Sequence, residues 1–159
     1  MNDMSLKTES IVVDEVFPHA PEIIWKALTT GELIARWLHM PTTGFAPVKG
    51  THFTFKTTPA GAWDGFIRCE VLEVIANERL TFSWRGGDEG NVGYGSKLDT
   101  VVTWTLTKVA NGTRVRLVHS GFVLPKNETA YTGMSGGWKK VVPGMVAVAV
   151  EQDSAKSLH

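Results

Sequence analysis

The sequence predicts an α+β fold: one strand, a pair of short helices, a meander of five antiparallel strands, and a late apolar helix. Three observations predict it. A strand gives way to a helix within residues 15–29. Apolar residues recur with a period of two between residues 50 and 120. Trp138, Val142, Met145, Val146 and Ala149 then form one stripe at helical spacing. An apolar sheet face opposite an apolar helix stripe suggests a container for an apolar molecule.

Each element has its own signal. Alternation from Ile11 to Phe17 suits a half-buried strand, Pro18 and Pro21 stop it, and Ile24, Trp25 and Leu28 follow at helical spacing. Gly31 breaks that pattern, and Leu33, Ile34, Trp37 and Leu38 share one side of a second short helix at 32–38. The two helices form a corner, in which Trp25 and Trp37 are expected to be buried against the sheet. After Gly50, Phe53 and Phe55 alternate with His52, Thr54 and Lys56, as in a strand with one wet face. Further strands are predicted at 66–75, 79–85, 100–109 and 113–120. Asn77-Glu78 and Ala110-Asn111-Gly112 are short enough for hairpin turns, the second with Asn-Gly where positive φ is needed.

The facing residues define an interior. Leu80, Phe82 and Trp84 share a face, as do Val102, Trp104 and Leu106, and Val115, Leu117 and His119. Glu70 and Glu73 fall in opposite registers, which a bulge within 66–75 would reconcile. Residues 86–99, rich in glycine with Asp88, Glu89, Asn91 and Ser96, are expected to form a mobile loop at the mouth of the sheet. Pro143-Gly144 is expected to interrupt and kink the last helix, because proline removes the hydrogen bond to the Lys139 carbonyl.

Composition bounds the function. The 159 residues suit a single domain, 1–159, with one core. Lys plus Arg and Asp plus Glu are both 16, so no basic face advertises nucleic acid. Arg114 and Arg116 could make a local patch, or they are simply solvated on the outside of a strand. Cys69 is the one cysteine, so neither an internal disulfide nor a thiolate metal cluster can form. Residues 1–10 do not read as a secretory signal and no apolar run reaches bilayer length, so no membrane insertion and a cytoplasmic location are expected. No cofactor is expected. His39 and His52 are not spaced with His119 as metal ligands, so no metal is expected either.

Several short motifs carry a resemblance. These are Ala-Pro-x-x-x-Trp-x-Ala-Leu-Thr at 20–29, Leu33 to Trp37, Glu70-Val71-Leu72-Glu73-Val74, Glu78-Arg79-Leu80, Gly112-Thr113, His119-Ser120-Gly121-Phe122 and Gly137-Trp138. As an ordered set they resemble the bacterial family of homologues of the activator of Hsp90 ATPase, within the START/Bet v 1-like superfamily, also called SRPBCC. The resemblance covers residues 11–151. It implies a helix-grip fold, a curved antiparallel sheet wrapped around a long C-terminal helix with two short helices closing one end and a cavity between. Superfamily members bind lipids, hormones, polyketides or antibiotics, some act as cyclases, and the eukaryotic activator domains bind the chaperone Hsp90. Two departures stand out: Cys69, where relatives often have glycine, and Pro143-Gly144.

The expected ligand-binding residues are Trp37, Phe53, Phe55, Phe82, Trp84, Trp104, His119, Trp138 and Met145. The aromatic residues among them could equally be core, since burying about 150–250 Å² each contributes several kcal/mol at about 25 cal/mol per Å². His119 lies on the inner face, either as a hydrogen-bonding or acid-base group or as a histidine satisfied by its neighbours. No nucleophile elbow, phosphate loop or dinucleotide fingerprint is present. The leading expectation is therefore a non-enzymatic binder of a small hydrophobic or aromatic molecule, serving stress response or self-resistance. The alternatives are a polyketide cyclase or hydrolase using His119 and a carboxylate, and an Hsp90-type chaperone cofactor using an external face. A homodimer is compatible with the sequence. Ligand is expected to pass between the 86–99 loop and the interrupted helix.

Overall fold

The computed structural model describes residues 7–157. Residues 1–6, the greater part of the segment read as unlike a secretory signal, lie outside the described residues. The order is β1 (Lys7–Phe17), α1 (Pro21–Leu28), α2 (Gly31–Leu38), β2 (Thr42–Thr43), β3 (His52–Lys56), β4 (Phe66–Ile75), β5 (Arg79–Gly86), β6 (Leu98–Val109), β7 (Gly112–Leu124) and α3 (Glu128–Ser157). The strands form one seven-stranded antiparallel sheet in the order β1-β7-β6-β5-β4-β3-β2. The meander is closed by β1, which returns to pair with β7, and α3 lies against α1, α2, β1 and β7. This is the helix-grip arrangement.

Local chemistry explains the elements. Pro21 occupies the first turn of α1, where its missing N–H costs nothing. The α1–α2 corner buries Ile24, Leu28, Leu33, Ile34 and Trp37, while Trp25 is only half-buried. The Trp37 indole is fixed by a 2.9 Å hydrogen bond to the Ala27 carbonyl. In β4 the register shifts between Val71 and Glu73, so Leu72 is the extra residue of a bulge. Nearby, the Glu70 N–H donates to Ser83 Oγ at 2.9 Å. The bulge keeps Val71 on the core side and lets Glu73 turn outward to Arg79.

Four expectations need correction. The strand placed at 113–120 runs on to Leu124, because Gly121, at φ 103°, absorbs a bulge against β1 instead of ending the strand. The two-residue β2 was not foreseen, being too short to show alternation. Pro143 does not interrupt α3, which continues through it as one 30-residue helix, with Val142, Met145 and Val146 buried on either side of the proline. Packing of that face outweighs the roughly 3 kcal/mol cost of an interior proline. The 86–99 segment is shorter than expected, since β5 takes Gly86 and β6 takes Leu98 and Asp99. Its remainder, 87–97, is heavily hydrogen-bonded and not a bare loop.

Candidate functional site

The inner face of the sheet is filled by rings over most of its length. Trp37 meets Trp104 edge-on at 5.5 Å, Trp104 meets Trp138 at 5.8 Å, and Trp138 meets Trp84 at 6.1 Å. From Trp84 the contacts continue through Phe55 at 5.3 Å to Phe53 and Phe82. Met145 closes this cluster from α3 and is fully buried. Such contacts add to the area term.

His119 is part of that core. It is fully buried on β7, and both of its ring nitrogens are engaged. The Trp138 indole can only donate, so Nδ1 is the acceptor at 3.1 Å and the ring proton sits on Nε2. Nε2 donates to Thr100 Oγ1 at 2.8 Å, and that hydroxyl donates to the Trp84 carbonyl at 2.8 Å. Burial pushes the imidazole pKa down to about 3, so it is neutral at physiological pH. The indole N–H groups of Trp84 and Trp104 have no acceptor among the described residues, and both nitrogens are themselves buried.

Beyond Trp84 and Trp138 the interior opens into a cavity of about 420 Å³. One wall is a single face of α3: Ala130, Gly133, Met134, Gly137, Trp138 and Val141, at the three- and four-residue steps that share a helix side. Opposite stand Ile67, Trp84 and Leu98 of the sheet, with Trp63 and Tyr94 from the 57–65 and 87–97 loops, and Leu38 and Met40 from the end of α2. Tyr94, Thr129 and Gly133 are exposed and mark the mouth.

The two loops are tied together over this cavity. Asn91 Nδ2 donates to the Ala60 and Gly95 carbonyls at 2.8 and 3.0 Å, and the Tyr94 hydroxyl donates to the Thr58 carbonyl. Asn127, buried at the start of α3, donates to Ser96 Oγ and the Lys97 carbonyl and accepts from the Val123 N–H. These asparagines position the walls; the sequence marks Asn91 only as part of the loop's composition and gives Asn127 no role.

No carboxylate, imidazole, thiol, ammonium or guanidinium lines the cavity among the described residues. Of the expected ligand-binding residues, Trp84 and Trp138 lie on its wall. Trp37, Phe53, Phe55, Phe82, Trp104, His119 and Met145 lie in the packed core instead. Alternation identifies the inward face but cannot tell a packed stretch from a hollow one. Cys69 is buried away from the cavity, and burial pushes its thiol pKa far up. No group of side chains able to hold a metal ion occurs among the described residues, and no helix among them is long and apolar enough to cross a membrane.

The sequence family described as activator of Hsp90 ATPase homolog 1-like protein matches residues 18–149. The chain belongs to this family. Protein MLL2253 from Mesorhizobium loti is similar in structure, with 33% identity, a TM-score of 0.75, and coverage of 90% of this chain and 98% of its own. CalU16 from Micromonospora echinospora is 20% identical with a TM-score of 0.64, over 93% of this chain and 85% of its own. DynU16, a protein in the dynemicin biosynthetic locus, is 24% identical with a TM-score of 0.63, over 86% of this chain and 45% of its own. The last two likenesses show the fold alone. No curated protein matches the chain.

Proposed function

We propose that the protein binds a small apolar molecule in the cavity between α3 and the sheet. The observation that carries this reading is the 420 Å³ cavity itself, walled mostly by apolar side chains and floored by the Trp84–Trp138 ring contact. Its size falls within the usual range for small-molecule sites, roughly 300–1,000 Å³. The shared fold of DynU16, from a biosynthetic locus, is in keeping with a small-molecule ligand.

The two alternatives have less behind them. A cyclase or hydrolase would want His119 and a carboxylate converging in the cavity, whereas His119 is enclosed by Trp138 and Thr100. A chaperone cofactor using Arg114 and Arg116 would have to draw them from Asp14, which both approach across β1 and β7. Titration with the uncharged fluorophore N-phenyl-1-naphthylamine tests the binding reading. Saturable one-to-one binding with quenching of tryptophan emission is expected. No saturable response to this probe or to palmitate, together with no small molecule retained in native mass spectra of gently purified protein, would contradict it.

A further inference from the structure

We propose that this cavity selects an uncharged, compact, ring-containing molecule, and that Gly137 determines the shape it accepts. The inference rests on the small-molecule reading and adds the class of ligand to it. Three features of the walls lead there.

The first is charge. With no ionic side chain on the lining, a buried carboxylate, sulfonate or ammonium would meet no counter-charge, and burying an unpaired ion is strongly unfavourable. Most polar groups of the lining residues are engaged by the protein, an exception being the Trp84 indole N–H, which is buried without an acceptor among the described residues. Trp63 Nε1 donates to the Phe66 carbonyl, Trp138 Nε1 to His119, and the Tyr94 hydroxyl to Thr58, while Ser96 Oγ takes a hydrogen bond from Asn127. Recognition therefore rests mainly on shape and apolar surface.

The second is length. The floor of the cavity is the Trp84–Trp138 contact, and behind it the edge-on contacts continue through Trp104 to Trp37. A long acyl chain would have to part these ring contacts to run on beneath α3. A compact ring system can lie between α3 and the rings of Trp63 and Trp84.

The third is the bare helix wall. A Cβ placed on Gly137 would meet nothing within 4 Å, and its φ lies outside the left-handed region, so neither packing nor backbone conformation requires glycine there. Glycine in a helix is less stable than alanine. Its consequence at 137 is that the guest can approach the helix backbone. Gly136, one residue away, also has open space around its would-be Cβ but does not line the cavity, which makes it the matched control.

The test compares N-phenyl-1-naphthylamine with 8-anilinonaphthalene-1-sulfonate, the same ring skeleton bearing a sulfonate, and with palmitate, each followed by tryptophan fluorescence. The uncharged probe is expected to bind at least tenfold more tightly than either. Gly137→Ala should keep or raise the melting temperature yet weaken the uncharged probe about threefold, and Gly137→Leu should weaken it tenfold or more. Gly136→Ala should raise the melting temperature and leave affinity unchanged. Equal or tighter binding of the sulfonate or palmitate overturns the inference while leaving the binding reading intact. So does an affinity in Gly137→Leu within twofold of wild type. Absence of saturable binding by all three ligands removes the binding reading itself.

Discussion

Acid should destabilise this protein through a single buried imidazole, well above the pH at which its carboxylates protonate. His119 is neutral in the fold, its pKa pushed down from 6.5 to about 3 by burial. In the unfolded chain it takes up a proton as the pH falls through about 6.5. Between those values the unfolded state holds more protons than the folded state, so this contribution to stability is complete above about pH 6.5 and declines as pH falls toward 3. At about 1.4 kcal/mol per pH unit, moving from about pH 7.5 to 5.0 costs about 2 kcal/mol, a large fraction of a typical domain stability of about 5–15 kcal/mol. The carboxylates act lower. Asp14 is held below the usual range by its hydrogen bond to Arg114, Asp64 by Arg68 and Glu89 by Lys126, so their contributions are present above the normal carboxylate pKa and are lost only as the pH falls below it. Urea unfolding of wild type and His119→Gln at both pH values isolates the effect, with the wild-type loss expected to exceed that of the variant by about 2 kcal/mol. Equal losses would refute the reasoning. So would a His119 ring proton resonance in the folded protein that titrates with a midpoint near the ordinary histidine value, a readout that needs no variant.

Thr100→Val removes the hydroxyl that bonds the Trp84 carbonyl and leaves the buried His119 Nε2–H without an acceptor. Chemical denaturation should show a loss of about 2–4 kcal/mol with the fold retained. Asn127→Ala cuts the ties from α3 to Ser96, Lys97 and Val123. A similar loss of about 2–4 kcal/mol is expected, with faster amide exchange in the 87–97 loop than in the sheet. Pro143→Ala restores an N–H that can reach the Lys139 carbonyl within a continuous helix, so a gain of about 1–3 kcal/mol should appear in urea unfolding. The proline lies roughly three turns from Gly133 at the cavity mouth, so stopped-flow release of the uncharged probe should be unaltered by this change.

The sheet was legible because its period of two is strong. Leu80, Phe82 and Trp84, then Val102, Trp104 and Leu106, all proved to be buried. The bulge in β4 could be inferred from Glu70 and Glu73 for the same reason. The C-terminal half of α3 showed its stripe through Val142, Met145, Val146 and Ala149. Its N-terminal half, which forms the cavity wall, was obscured because Gly133, Gly136 and Gly137 dilute the apolar period. The ordering of the 87–97 loop was hidden for a different reason. Asn91 finds its partner at Ala60, 31 residues away, and local composition carries no trace of such a bond. His119 was correctly placed inward, but its Trp138 and Thr100 partners each lie 19 residues away. The nearest signal for the cavity wall was the recurrence of Ala130, Met134, Trp138 and Val141 at helical steps.

The location of the bound molecule is the most direct point at issue, and backbone amide chemical-shift mapping during titration with N-phenyl-1-naphthylamine reads it residue by residue. The largest shifts are expected at residues 130–141 of α3, in the 87–98 segment and around Trp63, the elements that wall the cavity. Shifts confined to the outer face of the sheet, or to the groove between α1 and the end of α3 around Ile23 and Gln152, would contradict the account.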